Sequence, residues 1–191
     1  MNKRKLLAAL MTAFVMMNVY SAKAQETFEF KPSVNVSYGI NQIHSTKFET
    51  IAPTGLIAID ADLFEIFPRL SGGFHLGFET TEYSYSTVFK PEEIITGKAL
   101  MISHGFDLHY ALFNFKDWNI QLGATIGSTF SKLGRGVIVE YGLSATVKYF
   151  PIEHLGVFAE GVLGNYSYAR DYSWNHGFIN STLKAGVSYK F

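Results

Sequence analysis

Six histidines, His44, His75, His104, His109, His154 and His176, are the residues of this sequence best suited to chemistry at neutral pH. Two stand beside a serine, as Ser103-His104 and His44-Ser45. A serine close to an imidazole, oriented by an acid, is the arrangement that attacks acyl esters. In an extended chain, however, neighbouring side chains point to opposite faces, so Ser103 and His104 cannot form a dyad directly. His44-Ser45 has no evident acid nearby in the sequence. His75, Asp107 and His109 share one parity and are of metal-ligating type; hydrogen bonding inside a polar interior is the plainer reading. Glu140 with Lys148, and Glu160 with Lys184, could relay protons, but structural ion pairs are the simpler expectation. With no cysteine, thiol chemistry and disulfides are excluded. No catalytic, cofactor-binding or metal-binding set is therefore expected.

The elements that must hold these residues begin after an export signal. Lys3, Arg4 and Lys5 form a basic start, Leu6 to Tyr20 an apolar stretch, and Ala22-Lys23-Ala24 a small-x-small cleavage site before Gln25. Residues 1–24 are thus expected to be removed, leaving one domain over 25–191. The signal holds four of the 16 bases and no acid, so 12 bases remain against 16 acids. That balance argues against a nucleic-acid partner, which would want a basic face.

Past the signal, alternation of period two dominates, the pattern of roughly ten-residue membrane strands separated by turns. At the end of the chain Leu183, Ala185, Val187, Tyr189 and Phe191 share one face, opposite Lys184, Gly186, Ser188 and Lys190. Trp118 to Phe130 and Val137 to Tyr149 split the same way. Phe28 to Ile40, Gly55 to Phe64, Leu70 to Tyr83, Leu100 to Phe113 and Leu155 to Tyr168 follow with more noise, making eight strands. Pro32 should break or bulge the first, because proline lacks the ladder's N–H donor. Short turns are predicted at Phe67 to Arg69, Asn114 to Asp117 and Phe150 to His154, and on the opposite rim longer loops at about 41–54, 84–99 and 169–177 with a compact one at 131–136.

In hydrocarbon every backbone donor and acceptor needs a protein partner, so strands can span only as a closed sheet. The fold predicted is all-β: a transmembrane, eight-stranded, antiparallel up-and-down barrel. Aromatics bunch at strand ends as candidate interface girdles, with Phe67, Phe113, Trp118, Tyr149 and Phe150 among those on the turn side. The polar parity carries Asp60, Asp62, His75, Glu79, Asp107, His109, Glu140, Lys148, Glu160 and Lys184. A soluble sandwich could not bury so many charges. Eight strands leave room only for side chains, so a mutually paired polar plug is expected and not an open channel.

With this strand count, these short turns and the terminal Leu183-x-Ala185-x-Val187-x-Tyr189-x-Phe191, the chain resembles the OmpX/OmpA-like family of small outer-membrane barrels, including domains labelled porin-like or PorT-like. The resemblance spans Gln25 to Phe191 and is architectural. It implies a bacterial outer-membrane location, contact with lipopolysaccharide, and an ending read by the barrel assembly machinery through Tyr189 and Phe191. Loops 41–54, 84–99 and 169–177 are then the surface open to an extracellular ligand. The second keeps alternating from Tyr83 to Phe89, so its strands should project as an edge open to β-augmentation. A structural or surface-interaction role is the expectation. The rivals are a lipid A deacylase or acyltransferase, since enzymes of both kinds share the architecture, and a narrow solute channel.

Overall fold

The computed structural model describes residues 29–44, 50–87, 90–131, 137–168 and 178–191. The signal sequence, the loop 169–177 with Trp174, Asn175 and His176, and most of the loop 131–136 lie outside them. Strands β1 (Glu29–His44), β2 (Thr50–Ile51), β3 (Thr54–Phe67), β4 (Leu70–Thr87), β5 (Lys90–Asn114), β6 (Trp118–Ser131), β7 (Val137–Tyr149), β8 (Leu155–Tyr168) and β9 (Phe178–Lys190) follow in order. Leaving aside the two-residue β2, each pairs antiparallel with the next, and β9 pairs back with β1 from Ser33↔Lys190 to His44↔Ile179. The ring of eight is closed and has no edge within the barrel wall.

Alternation decides the two faces of that wall. Leu143 and Leu183 on the outside are each 69% exposed, whereas Lys148 and Lys184 on the inside are 5% and 7% exposed. Burying charges while exposing leucines is the reverse of a soluble protein, and only an apolar solvent makes it favourable, at roughly 25 cal/mol per Å² of apolar surface removed from water. Trp118 and Tyr149 contact each other at the turn end, with ring centroids 4.6 Å apart. Phe113 and Phe115 stack nearby in sequence at 6.1 Å.

Proline acts where its missing donor dictates. The β1–β3 register shifts between Phe30 and Ser33, around Pro32, whose carbonyl accepts the Phe191 N–H at 3.1 Å. Pro68 and Arg69 make the β3–β4 turn, Arg69 with φ of 75°. Its carbonyl accepts the Ala111 N–H at 2.8 Å, while its own N–H donates to Glu65 at 3.0 Å.

Two expectations are corrected. The stretch 84–99 is not an irregular loop: β4 and β5 stay paired as far as Ser86↔Ile94 and Thr87↔Lys90, so the strands project as the continued alternation from Tyr83 implies. The stretch 41–54 is shorter than expected, since β1 runs to His44 and Thr50–Ile51 pairs with Ser84 and Tyr83 of β4.

Candidate functional site

The polar face of the barrel meets itself in the lumen, where all ten of the acid, base and imidazole residues singled out from the alternation are found. Asp62 on β3 is the most heavily bonded. It accepts from His109 Nδ1 at 2.9 Å, Lys148 Nζ at 3.0 Å and Ser33 Oγ at 3.3 Å. Lys184 on β9 donates to both carboxylate oxygens of Asp60, at 3.1 and 2.9 Å, and lies 3.4 Å from Glu160 across its ladder. His75 Nδ1 donates to Asp107 at 2.9 Å. Glu79 accepts from Asn41 at 2.8 Å and Thr54 at 3.3 Å, and Glu140 from Thr129 at 3.0 Å.

Glycine supplies the space these rings occupy. A Cβ at Gly105 would stand 2.6 Å from His75 Cε1, and one at Gly123 would stand 2.6 Å from His109 Cδ2. Gly73 faces Asp62 across the β3–β4 ladder, where a Cβ would stand 2.0 Å from the Ala61 carbonyl oxygen.

Glu140 and Lys148 are not a pair. Eight residues apart on one strand, they are separated by roughly 25 Å at 3.3 Å per residue; Lys148 reaches Asp62 instead. His75, Asp107 and His109 do not converge either, because His109 turns to Asp62, and no metal-holding group of His, Asp and Glu occurs among the described residues. Ser103 and His104 point apart, Ser103 into the lumen and His104 outward. His104 has a different hydroxyl: Ser128 Oγ, directly opposite on β6, is 3.0 Å from its Nε2, and the ring stacks on Phe130 at 5.2 Å.

Sequence reasoning missed the apolar stoppers. Ile43 and Met101 are buried inside the loop end, where Thr81 Oγ1 contacts Met101 Sδ at 3.3 Å. Phe158, by contrast, shares its parity with Glu160 in the sequence and is buried in the lumen at the level of Lys148, as that parity implies. Phe150, placed in the turn-side girdle by its type, is instead 7% exposed, with the Lys190 ammonium 3.4 Å from its ring centroid. Parity held the signal, since Phe150 continues the inward series Thr146, Lys148 past the end of β7. Gly156 admits the ring, because a Cβ there would stand 2.6 Å from it.

A closed ring of eight antiparallel strands with this inverted polarity has solved counterparts. Neisserial surface protein A superposes with a TM-score of 0.58 at 16% identity, over 87% of this chain and 100% of that one. The outer-membrane protein OprG of Pseudomonas aeruginosa gives 0.55 at 7%, over 87% and 98%. The chain has the fold of the small outer-membrane barrels. AlkL, an outer-membrane protein solved in lipid bilayers, gives 0.51 at 10%, over 87% and 93%. No family model matches the sequence, and no curated protein matches it. What small outer-membrane barrels have in common with this chain is thus the cylinder, while the lumen pairs and the β4–β5 extension are read from its own residues.

The assembly-signal residues predicted at the end of the chain lie on the outer wall. Leu183, Val187, Tyr189 and Phe191 are exposed there beside Ala185, and the Tyr189 and Phe191 rings meet edge to face at 5.0 Å.

Proposed function

We propose that this chain is an integral outer-membrane protein of non-enzymatic type, working at the cell surface through its β4–β5 hairpin above a lumen closed by its own side chains. The observation that carries the reading is the unequal height of the wall. Among the described residues the last β5–β6 pair is Met101↔Ser131, yet β5 continues from Leu100 up to Lys90, paired with β4 alone. On that side, Lys90 to Leu100 present a ladder edge without a strand partner among the described residues. An edge of this length offers backbone donors and acceptors to an extended polypeptide, the geometry of β-augmentation. Lys98 and Glu82 form an ion pair across the hairpin, and Ile94 is exposed near its tip. The export signal and the apolar outer wall support the outer-membrane location.

The test replaces residues 85–95 by a two-residue Asn-Gly turn, which joins the paired Ser84 and Thr96 and keeps the register. The shortened protein should insert and keep its heat-modifiable migration, while cells displaying it should fall to background adhesion on a surface coated with reduced, denatured polypeptide. Undiminished adhesion would sink the reading.

A second reading has one observation in its favour. The Ser128–His104 contact faces outward, where an acyl ester of a lipid could reach the hydroxyl, with His104 as base. No carboxylate hydrogen-bonds His104 among the described residues, so the orienting acid of a full triad is missing there. A lipid-modifying enzyme would release fatty acid from lipid A in a manner abolished by both Ser128→Ala and His104→Ala. On the proposed reading neither wild type nor variant releases any.

A further inference from the structure

The lumen holds two cavities of different size and character. One of about 60 Å³ lies among the carboxylates around Asp60, Asp107 and Glu160. The other, about 450 Å³, lies toward the turn end, which faces the periplasm in the orientation proposed above. The Asp62–Lys148 ion pair borders it within the lumen, and Phe150 with Lys190 lines it at the turn end. Its size is that of a pocket for a small metabolite.

The chemistry of its walls is specific. Lys31 and Lys148 are neutralised by Glu65 and Asp62 at 2.8 and 3.0 Å. Lys190 has only the Phe150 ring beneath its ammonium, and the Arg69 guanidinium has no carboxylate partner among the described residues. Two cationic side chains therefore line one cavity in excess of its acidic side chains. On β6, Gln121 is 7% exposed and lines the same cavity, and its Oε1 finds no donor on the protein; Asn119 Oδ1, two residues away on the same face, is likewise unpartnered. A buried amide oxygen without a donor costs about 1–3 kcal/mol unless something supplies one. The cavity thus asks for an anion at Arg69 and Lys190 and for hydroxyl donors at Gln121 and Asn119.

We infer that the turn-end cavity binds a phosphorylated polyol, its phosphate held by Arg69 and Lys190 and its hydroxyls donating to Gln121 and Asn119. Such a group could arrive as a free solute or as the headgroup of a phospholipid. The two sources share this chemistry and differ only in what the far oxygen of the phosphate carries.

The experiment uses the full mature protein in non-ionic detergent micelles, titrated with glycerol 3-phosphate by calorimetry, and separately in vesicles with and without phosphatidylglycerol. Three variants accompany it. Arg69→Asn keeps a residue that tolerates the left-handed turn, Lys190→Gln removes the second cation, and Gln121→Leu removes the acceptor. Heat-modifiable migration verifies that each is folded. Saturable binding of glycerol 3-phosphate, weakened at least tenfold in Arg69→Asn and in Gln121→Leu, supports a soluble ligand. Binding seen only with phosphatidylglycerol, and lost in the same variants, supports the same site with a lipid headgroup as ligand. Lys190→Gln is expected to weaken whichever binding is seen. No saturable binding of either, or binding unchanged in folded Arg69→Asn and Gln121→Leu, overturns the inference.

Discussion

The two halves of the lumen are made from the same alternating pattern and differ in how completely they fill it. In the loop-side half, carboxylates, imidazoles and one lysine leave about 60 Å³, and Glu79 and Glu140 are hydrogen-bonded by side chains of other strands. In the turn-side half the side chains leave about 450 Å³, two cations exceed their acids, and Phe150 lies inward where a polar residue would be expected. The first half is organised as a packed interior and the second as a pocket. Removing a group should therefore cost much in the first and little in the second.

The largest effect is expected at Lys184, the one ammonium serving both Asp60 and Glu160. Removing one partner of a buried ion pair costs about 3–5 kcal/mol, because the remaining charge stays desolvated. Lys184→Met should shift the urea unfolding midpoint in lipid vesicles by an amount of that order. Lys190→Met, in the turn-side half, should shift it by less than about 1 kcal/mol. Equal shifts would break the contrast between the halves.

A smaller effect tests how the glycines serve the packed half. At Gly123 a Cβ would meet His109 at 2.6 Å and Ser144 Oγ at 2.3 Å, so Gly123→Ala must displace the ring that bonds Asp62. Overpacking of this kind costs typically about 1–3 kcal/mol. Gly161, on the same sheet, has nothing within 4 Å of its would-be Cβ. Gly161→Ala should leave the midpoint within about 0.5 kcal/mol of wild type, as open surface sites do. A loss at Gly161 as large as at Gly123 would show that strand glycine itself, and not the space it leaves for His109, sets the cost.

These contrasts mark how far the residues could be read before the fold was seen. Period-two alternation reports which face a side chain takes, and that follows from the backbone alone. Strand count, the turn at Pro68 and the break at Pro32 were legible for the same reason, since proline's missing N–H is local. Partners were not legible, because they depend on the stagger of a closed sheet. His109 meets Asp62, 47 positions away and two strands over, while Glu140 and Lys148, which share a strand and parity, stay far apart. Ser128 was not legible as the neighbour of His104, because counting back from the Phe115–Trp118 turn gives Thr129, and only the irregularity between Ala111 and Phe113 brings Ser128 opposite. Phe150 was misplaced by arguing from residue type, where parity past the strand end would have turned it inward.

The smallest effect carries the opposite sign and belongs to the turn end. Arg69 adopts φ of 75°, a left-handed conformation that brings the L side chain's Cβ too close to the following carbonyl and costs roughly 1–2 kcal/mol. The turn holds it there through the Ala111 N–H bond to its carbonyl and its own N–H bond to Glu65. Glycine at this position would remove the strain but lose about 0.5–1 kcal/mol through the greater freedom of the unfolded chain. Arg69→Gly should therefore leave the barrel as stable as wild type or more stable by up to about 1 kcal/mol, read from the same urea midpoints. The two lumen halves then differ in sign as well as size, with Lys184→Met destabilising and Arg69→Gly not. A clear loss of stability in Arg69→Gly would mean that the guanidinium contributes to holding the turn end together. The strained arginine would then be a structural clamp, and the turn-side half would have to be counted, like the loop-side half, as packed for stability.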